Sequence, residues 1–179
     1  FRGSYDIPYR SYLVKGKTNL YAGGRCMGAS KLGMASSRVM GTCAIGGQAI
    51  GTAAALCLKG DGDIRHVDVE ALQQTLLRDD CYLPLHENTD PLDLARGGKV
   101  TASSQQADYP AADILSGVTR RVEGVHNEWR SDGLSENGEW VRLDLPRTGR
   151  IHRVQVTFDS NFDLEKKITL SSRRQQQQE

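Results

Sequence analysis

A stretch of small residues over positions 19–58 constrains the fold more than any other part of the chain. It begins with a short apolar segment at 20–22, then a Gly23-Gly24-Arg25 turn and a loop of small and polar residues at 26–37. A long helix is predicted over 38–58. Because strand, glycine turn and helix form the unit that surrounds nucleotide cofactors, this order predicts an α/β arrangement with an anion-binding helix start.

Glycine and alanine recur along one face of the predicted helix. Gly41, Ala44, Gly47, Gly51 and Ala55 are three or four residues apart, which places them on the same side. Each interior glycine costs about 1 kcal/mol relative to alanine. We therefore expect another backbone or a ligand to approach this face closely. Tight packing on a sheet, with no ligand, explains the pattern equally well.

The start of this helix is predicted to attract negative charge. Ser36 or Ser37 is the expected N-cap, and free backbone N–H groups at a helix start favour anions.

Charge is distributed unevenly along the chain. Residues 1–60 hold eight Lys or Arg against one acid, a net charge of +7, and residues 61–98 hold three against nine, a net charge of −6. Residues 99–179 hold twelve of each and are neutral. A basic first segment suits a bisphosphate cofactor. Its charges are dispersed and match no nucleic-acid-binding motif, so nucleic acid is not the predicted partner.

Four ordered blocks carry a resemblance to a known family. They read YDIPYRS (5–11), NLYAGGRC (19–26), SRVMGTCA (37–44) and GQAIGTAAA (47–55). With these blocks, residues 5–82 resemble the C-terminal part of bacterial FAD-dependent oxidoreductases of the glutathione reductase-like superfamily. The resemblance implies two sets of FAD-binding residues: Gly23, Gly24 and Arg25 beside the ribityl–pyrophosphate part, and Ser37, Arg38, Val39 and Met40 near the flavin ring. Many relatives carry an acid where this chain has Arg25.

The resemblance implies an enzyme that passes a hydride from a small-molecule or sugar-like substrate to the flavin of FAD. This chain would supply the C-terminal wall of the FAD site. The phosphate-binding G-x-G-x-x-G fingerprint and the P-loop are both missing from the sequence. We therefore expect this chain to be a piece of a longer oxidoreductase and to be inactive alone. Residues 1–84 would be the C-terminal part of its FAD-binding domain. No general base is predicted.

A second helix is predicted over 68–78 after a polar break. Asp68 is its expected N-cap, and the apolar face comprises Val69, Leu72, Leu76 and Leu77. Gln73, Gln74 and Arg78 are predicted to face water. This helix is expected to be structural.

The pattern changes after a linker at 85–98, which is rich in Asp, Asn, Pro and Gly. Antiparallel strands are predicted at 99–103, 138–145 and 151–158. The segments VTASS (100–104), YPAA (109–112), WRS (129–131), EWVRLDL (139–145) and VQVTFD (154–159) resemble a discoidin-type (coagulation factor 5/8 C-terminal-like) module. A partial antiparallel β-sandwich of the jelly-roll type is thus expected over 99–170, followed by a polar tail at 171–179. Carbohydrate binding or adhesion through this module is the alternative function.

The remaining candidate sites are predicted to be structural. Ser116-Gly117 stands where calcium-binding relatives have Asp-Gly, so no calcium or other metal site is expected. The four cysteines form no C-x-x-C motif and are interpreted as structural thiols, and the four histidines as surface residues. Trp129 and Trp140 are expected to anchor the sandwich core. The sequence contains no run of about 18 apolar residues, so no membrane span is predicted. Whether the protein is cytoplasmic or exported stays open.

Overall fold

The structure is a computed structural model that describes residues 5–121 and 124–158. The chain divides into two units, one ending at Asp90 and the other beginning at Pro91. The helices are α1 (Lys31–Ser37), α2 (Met40–Cys57) and α3 (Val69–Arg78), and the strands are β1 (Lys99–Ala102) and β2 (Val141–Asp144). Single 3-10 turns cover Tyr9–Tyr12, Gly24–Cys26, Ile64–His66, Leu94–Gly97 and Ala111–Leu115.

The long helix is confirmed as α2, but its predicted N-cap is wrong. Val39 occupies the N-cap position and its side chain makes no capping hydrogen bond. Ser37 is instead the last residue of α1, where its hydroxyl donates to the Gly33 carbonyl over 2.9 Å. The loop predicted over 26–37 is therefore partly helical. Ser30 makes this possible because its hydroxyl accepts a hydrogen bond from the Gly33 N–H and caps α1.

The strand predicted at 20–22 is wrong. Tyr21 forms only an isolated antiparallel bridge with Leu13, supported by a hydrogen bond from the Ala22 N–H to the Tyr12 carbonyl over 2.8 Å. Within the described residues no strand pairs with this segment. A strand needs a neighbouring strand to take up its backbone hydrogen bonds, so the segment forms no more than this bridge.

The second helix is confirmed as α3, with Asp68 as its N-cap accepting from the N–H groups of Glu70 and Ala71. The prediction that its glutamines face water is wrong. The amide of Gln74 donates to the Glu87 carbonyl over 3.0 Å and accepts from the Thr89 N–H over 2.8 Å. The polar face of α3 thus fixes the chain that follows it.

The core of the first unit lies where α2 packs against α3. Ala53 on α2 meets Leu72 and Leu76 on α3, together with Cys81, and all four are buried. Tyr9 and Tyr21 close one side of this core, with their hydroxyl oxygens 2.7 Å apart. The Tyr9 hydroxyl also lies 2.7 Å from the Ile64 carbonyl, to which it donates. Burial and the hydrogen bond with Tyr21 raise the pKa of Tyr9, so this network holds neutral phenols.

The second unit contains a two-stranded antiparallel sheet among its described residues. β1 and β2 pair from Lys99 opposite Asp144 to Ala102 opposite Val141, which confirms strands near two predicted positions. The strand predicted at 151–158 is wrong, because this segment has no regular structure. Val154 and Phe158 are 80% and 83% exposed there. The described residues offer no neighbouring strand to pair with the segment, and the β-sandwich stays a prediction.

The two tryptophans do not anchor a common core. Trp129 is half-buried and its indole N–H donates to the Ser104 carbonyl over 2.8 Å. Trp140 is 53% exposed, so its predicted core role is wrong. The predicted tail at 171–179 and the end of the predicted sandwich lie outside the described residues.

Candidate cofactor-binding segment

The predicted site residues fall into two groups that contact the same helix. The first group is the turn at Gly23, Gly24 and Arg25, which packs against α2 near Ile50. The second group joins α1 to α2 and ends at Met40. Ten helical residues separate Met40 from Ile50, which corresponds to about 15 Å along the axis. The structure therefore places the groups apart, on one helix, rather than in one cluster.

The glycine turn requires glycine for two different reasons. Gly24 has a φ of +58°, a left-handed conformation that side chains disfavour. A Cβ on Gly23 would lie 2.9 Å from the Ile50 Cδ1 atom, so Gly23 allows the turn to approach α2. Arg25 follows in a 3-10 turn and is exposed. A guanidinium in this position can reach an anionic ligand from solvent.

The start of α2 offers hydrogen-bond donors without protein acceptors. Within the described residues, the N–H groups of Met40, Gly41 and Thr42 bond to no backbone or side-chain atom. A Cβ on Gly41 would meet nothing within 4 Å, so the space beside these donors is open. Arg38 is exposed close by. Free N–H groups, the helix dipole and a cation together favour a negatively charged or electron-rich group here.

The other predicted residues of this group differ in exposure. Ser37 is 3% exposed and is engaged within α1 through its hydroxyl, while its carbonyl oxygen lies 3.8 Å from Cys43 Sγ. Its side chain is therefore turned away from any ligand. Val39 and Met40 are 55% and 90% exposed. Exposed apolar side chains at a helix start can cover a flat ring system.

The two faces of α2 have different surroundings. Gly46 and Ala53 lie on the side that packs within the first unit, where a Cβ on Gly46 would come 2.7 Å from the Tyr12 hydroxyl. Gly41, Gly47 and Gly51 lie on the other side, and a Cβ on any of them would meet nothing within 4 Å. The sequence predicted a close neighbour for the face that contains Gly41, Gly47 and Gly51. The structure has the close neighbour at Gly46 instead, and nothing in the described chain packs against the predicted face.

A second group of polar residues lies beside the core and was not recognised from the sequence. His86 Nε2 is 3.3 Å from Asp6 Oδ2 and 3.2 Å from Gln73 Nε2. The His86 and Asp6 side chains are 32% and 27% exposed, so this predicted surface histidine is partly buried and is paired with a carboxylate. No local spacing could reveal this pair, because it joins opposite ends of the first unit.

The other titratable groups show no comparable site. Cys57 and Cys81 are buried thiols, and burial raises the pKa of Cys81, as expected for structural cysteines. The described residues contain no group of three or more His, Cys, Asp or Glu placed to hold a metal ion. His126 is half-buried against Tyr109, with ring centroids 4.2 Å apart, which differs from the predicted surface position.

Among the described helices, α2 is the one that is long and apolar enough to cross a membrane by length and composition. Its 18 residues have a mean hydropathy of 1.2 and 17% of them are buried. The core helix of a soluble protein meets the same criterion, so length and composition alone carry little weight. The prediction of no membrane span stays a prediction.

Comparison with known families gives a match within the first unit. Residues 2–76 match the family described as FAD dependent oxidoreductase, which is less than half of the 179 residues. The match includes the glycine turn, α1, α2 and most of α3. Comparison with curated proteins and with solved structures gives no match.

The family match defines the class of cofactor. The matched family is FAD-dependent, which supports FAD as the cofactor and an oxidoreductase as the class of protein. The open N–H groups at Met40 and Gly41 fit one side of such a group. The glutathione reductase-like superfamily, the discoidin-like module and a bacterial source are not addressed by this match and stay predictions.

Proposed function

We propose that the first unit forms one wall of the FAD site in an oxidoreductase that accepts a hydride from its substrate. The family match over residues 2–76 is the observation that carries this proposal. FAD supplies the redox chemistry when it is bound, and the protein supplies binding, orientation and electrostatics. The contribution of this chain is therefore argued from its backbone donors, cations and open helix face.

The helix start is the proposed contact for the flavin ring. Three N–H groups at Met40, Gly41 and Thr42 have no acceptor within the described residues. Oriented donors of this kind stabilise negative charge without having to reorganise. Val39 and Met40 would cover the ring with apolar surface, and Arg38 would add a positive charge at its edge.

The glycine turn is the proposed contact for the ribityl–pyrophosphate part. Gly23 lies against Ile50, which is about 15 Å along α2 from Met40 by the rise of ten helical residues. Gly24 and Arg25 follow Gly23 in the same turn. An extended dinucleotide lying along α2 would contact both groups at once. The open face at Gly47 and Gly51 supports this, because no side chain there would obstruct a close neighbour.

We further propose that polypeptide beyond the described residues completes the cofactor site. The matched segment contains no G-x-G-x-x-G fingerprint, which is the usual phosphate-binding element of such domains. The exposed face of α2 supports the same view, because an apolar helix that is 17% buried has room for a further packing partner.

The proposal is tested on the protein expressed from its complete gene. The bound cofactor is released by denaturation and identified by chromatography and mass spectrometry. One FAD per chain, reduced anaerobically by an oxidisable substrate, is the expected result. A protein that is isolated without flavin and that does not take up added FAD would contradict the proposal. A protein that holds FMN instead would contradict the proposed pyrophosphate contact alone.

A further inference from the structure

A cavity lies on the buried side of α2, away from the open glycine face. Its volume is about 330 Å³, and α2 contributes Thr42, Ile45, Gly46 and Ala49 to its lining. At about 100° per residue the mean direction of these positions lies nearly opposite to Gly47 and Gly51, and Gly41 lies about a quarter turn away, between the two sides. The cavity therefore lies on a different side of α2 from Gly47 and Gly51 and is lined by residues of the first unit. It shares Thr42 with the proposed FAD contacts, to which Thr42 contributes a backbone N–H.

The cavity has the size of a site for a small molecule. Ligand pockets begin at about 300 Å³, and an apolar cavity of about 150 Å³ already admits benzene. A volume of about 330 Å³ therefore has room for one substituted ring. Much of the wall is apolar, and includes Ile7, Leu72, Leu76 and Leu83.

The polar part of the wall is acidic and aromatic. Asp6 is the one carboxylate among the lining residues, all of which belong to the described chain, and none of them is Lys or Arg. Four tyrosines line the same space: Tyr5, Tyr9, Tyr12 and Tyr82. A carboxylate combined with aromatic rings is the chemistry that recognises an organic cation, through an ion pair and through cation–π attraction.

Asp6 has the capacity to bind a ligand in addition to its histidine partner. Its Oδ2 atom lies 3.3 Å from His86 Nε2. Within the described residues its Oδ1 atom has no hydrogen-bond partner. The Asp6 side chain is 27% exposed, so it is partly desolvated, and a charged hydrogen bond is stronger there than in bulk water.

We propose that this cavity binds a small apolar amine, with the ammonium group on Asp6 and the apolar part among the tyrosine and leucine side chains. Lining residues from α2, α3 and the chain around His86 shape the site before any ligand arrives. The proposal does not rest on FAD, because Asp6, its ammonium contact, is not among the proposed FAD contacts. A loss of FAD binding therefore leaves it intact.

The test compares three ligands of nearly equal size by isothermal titration calorimetry on the unmodified chain. Phenethylamine is a cation, phenethyl alcohol is neutral and phenylacetate is an anion. We expect the amine to bind at least about tenfold more tightly than the alcohol, as one charged hydrogen bond provides. Equal affinities, tighter binding of the anion, or no binding of any of the three would overturn the proposal.

A matched pair of variants locates the ammonium contact. Asp6→Asn should lower the affinity for phenethylamine to that for the alcohol. Asp61→Asn is the control, because Asp61 also pairs with a histidine, His66, over 2.7 Å, but lies outside the cavity. An Asp6→Asn protein that is folded by circular dichroism and keeps its full affinity for the amine would also overturn the proposal. Should that variant fail to fold, the ligand series on the unmodified chain decides.

Discussion

The two units of this chain bury their side chains to very different degrees. The first unit encloses Ala53, Leu72 and Leu76 between two helices, with exposures of 0%, 3% and 4%. The second unit has Ala111 as its one fully buried apolar side chain among the described residues, and hydrogen bonds around its two-stranded sheet hold the rest. The first unit therefore has a hydrophobic core of its own, whereas polar contacts are prominent in the described part of the second.

The polar contacts of the second unit converge on one carboxylate. Glu139 accepts hydrogen bonds from the Ser103 and Ser104 hydroxyls, the latter over 2.9 Å, and from the Ser135 N–H over 3.1 Å. These bonds tie the residues that follow β1 to the residues that precede β2. Their strength depends on the charge of one exposed group, unlike the core of the first unit.

Truncation of the core should give the largest effect. Leu76→Ala is expected to destabilise the first unit by about 2–5 kcal/mol, because it leaves a cavity between α2 and α3. Leu143→Ala on β2 is the matched control, since Leu143 is 37% exposed, and should cost less than about 1 kcal/mol.

Urea unfolding can follow each unit with its own signal. The described α-helices all lie in the first unit, and both tryptophans lie in the second. Circular dichroism of the helices should therefore report Leu76→Ala, and tryptophan fluorescence should report Leu143→Ala. An equally large loss for the β2 variant would show that the second unit buries a core of its own.

Removal of a single half-buried hydroxyl should have an intermediate effect. Tyr9→Phe leaves the Ile64 carbonyl and the Tyr21 hydroxyl without their shared partner, at an expected cost of about 1–2 kcal/mol. Tyr12→Phe is the control, because the Tyr12 hydroxyl has no hydrogen-bond partner within the described residues. It should change the free energy of unfolding by less than about 0.5 kcal/mol. Equal effects in helix-detected urea unfolding would contradict the assigned network.

The smallest effect should be a pH dependence confined to the second unit. The hydrogen bonds from Ser103 and Ser104 lower the pKa of Glu139. A carboxyl whose folded pKa lies below its unfolded pKa adds stability above the unfolded pKa and loses it as the pH falls through the folded pKa. The stability detected by tryptophan fluorescence should therefore fall in acid, and Glu139→Gln should flatten this dependence. An unchanged pH dependence in the variant would show that Glu139 does not cause the loss of stability in acid.

Features encoded locally could be predicted from the sequence. Asp68 before an apolar helical pattern specified α3 and its cap, and the small-residue pattern after Arg38 specified α2. The first residue of α2 was harder to predict, because serine side chains at several positions before it can cap a helix. Ser30 caps α1, and Ser37 is the last residue of α1. The choice depended on α1, which places the Ser37 hydroxyl on the Gly33 carbonyl.

Features that depend on distant partners could not be predicted. The Asp6–His86 pair joins residues 80 positions apart, and no pattern near either residue indicates the other. Residues 151–158 alternate as a strand should, but a strand forms only where a neighbour takes up its hydrogen bonds. The glycines of α2 were interpreted as one packed face, whereas the structure uses Gly46 for contact and leaves Gly41, Gly47 and Gly51 open.

The proposed flavin contact depends on the backbone donors at the start of α2, and one substitution removes a donor without disturbing the helix. Met40→Pro deletes the Met40 N–H, together with the Met40 side chain proposed to cover the ring, at the first helical position, where proline is well tolerated. Val39 is extended, as a residue before proline must be. Val69→Pro is the matched control at the first position of α3, where Asp68 is also extended.

The most direct measurement is the dissociation constant for FAD of these two variants and of the unmodified protein, each expressed from the complete gene. Met40→Pro should weaken FAD binding by about tenfold, as the loss of one donor to a charged group should, while Val69→Pro should leave it unchanged. Unchanged FAD affinity in a folded Met40→Pro protein would contradict the claim that the start of α2 contacts the cofactor.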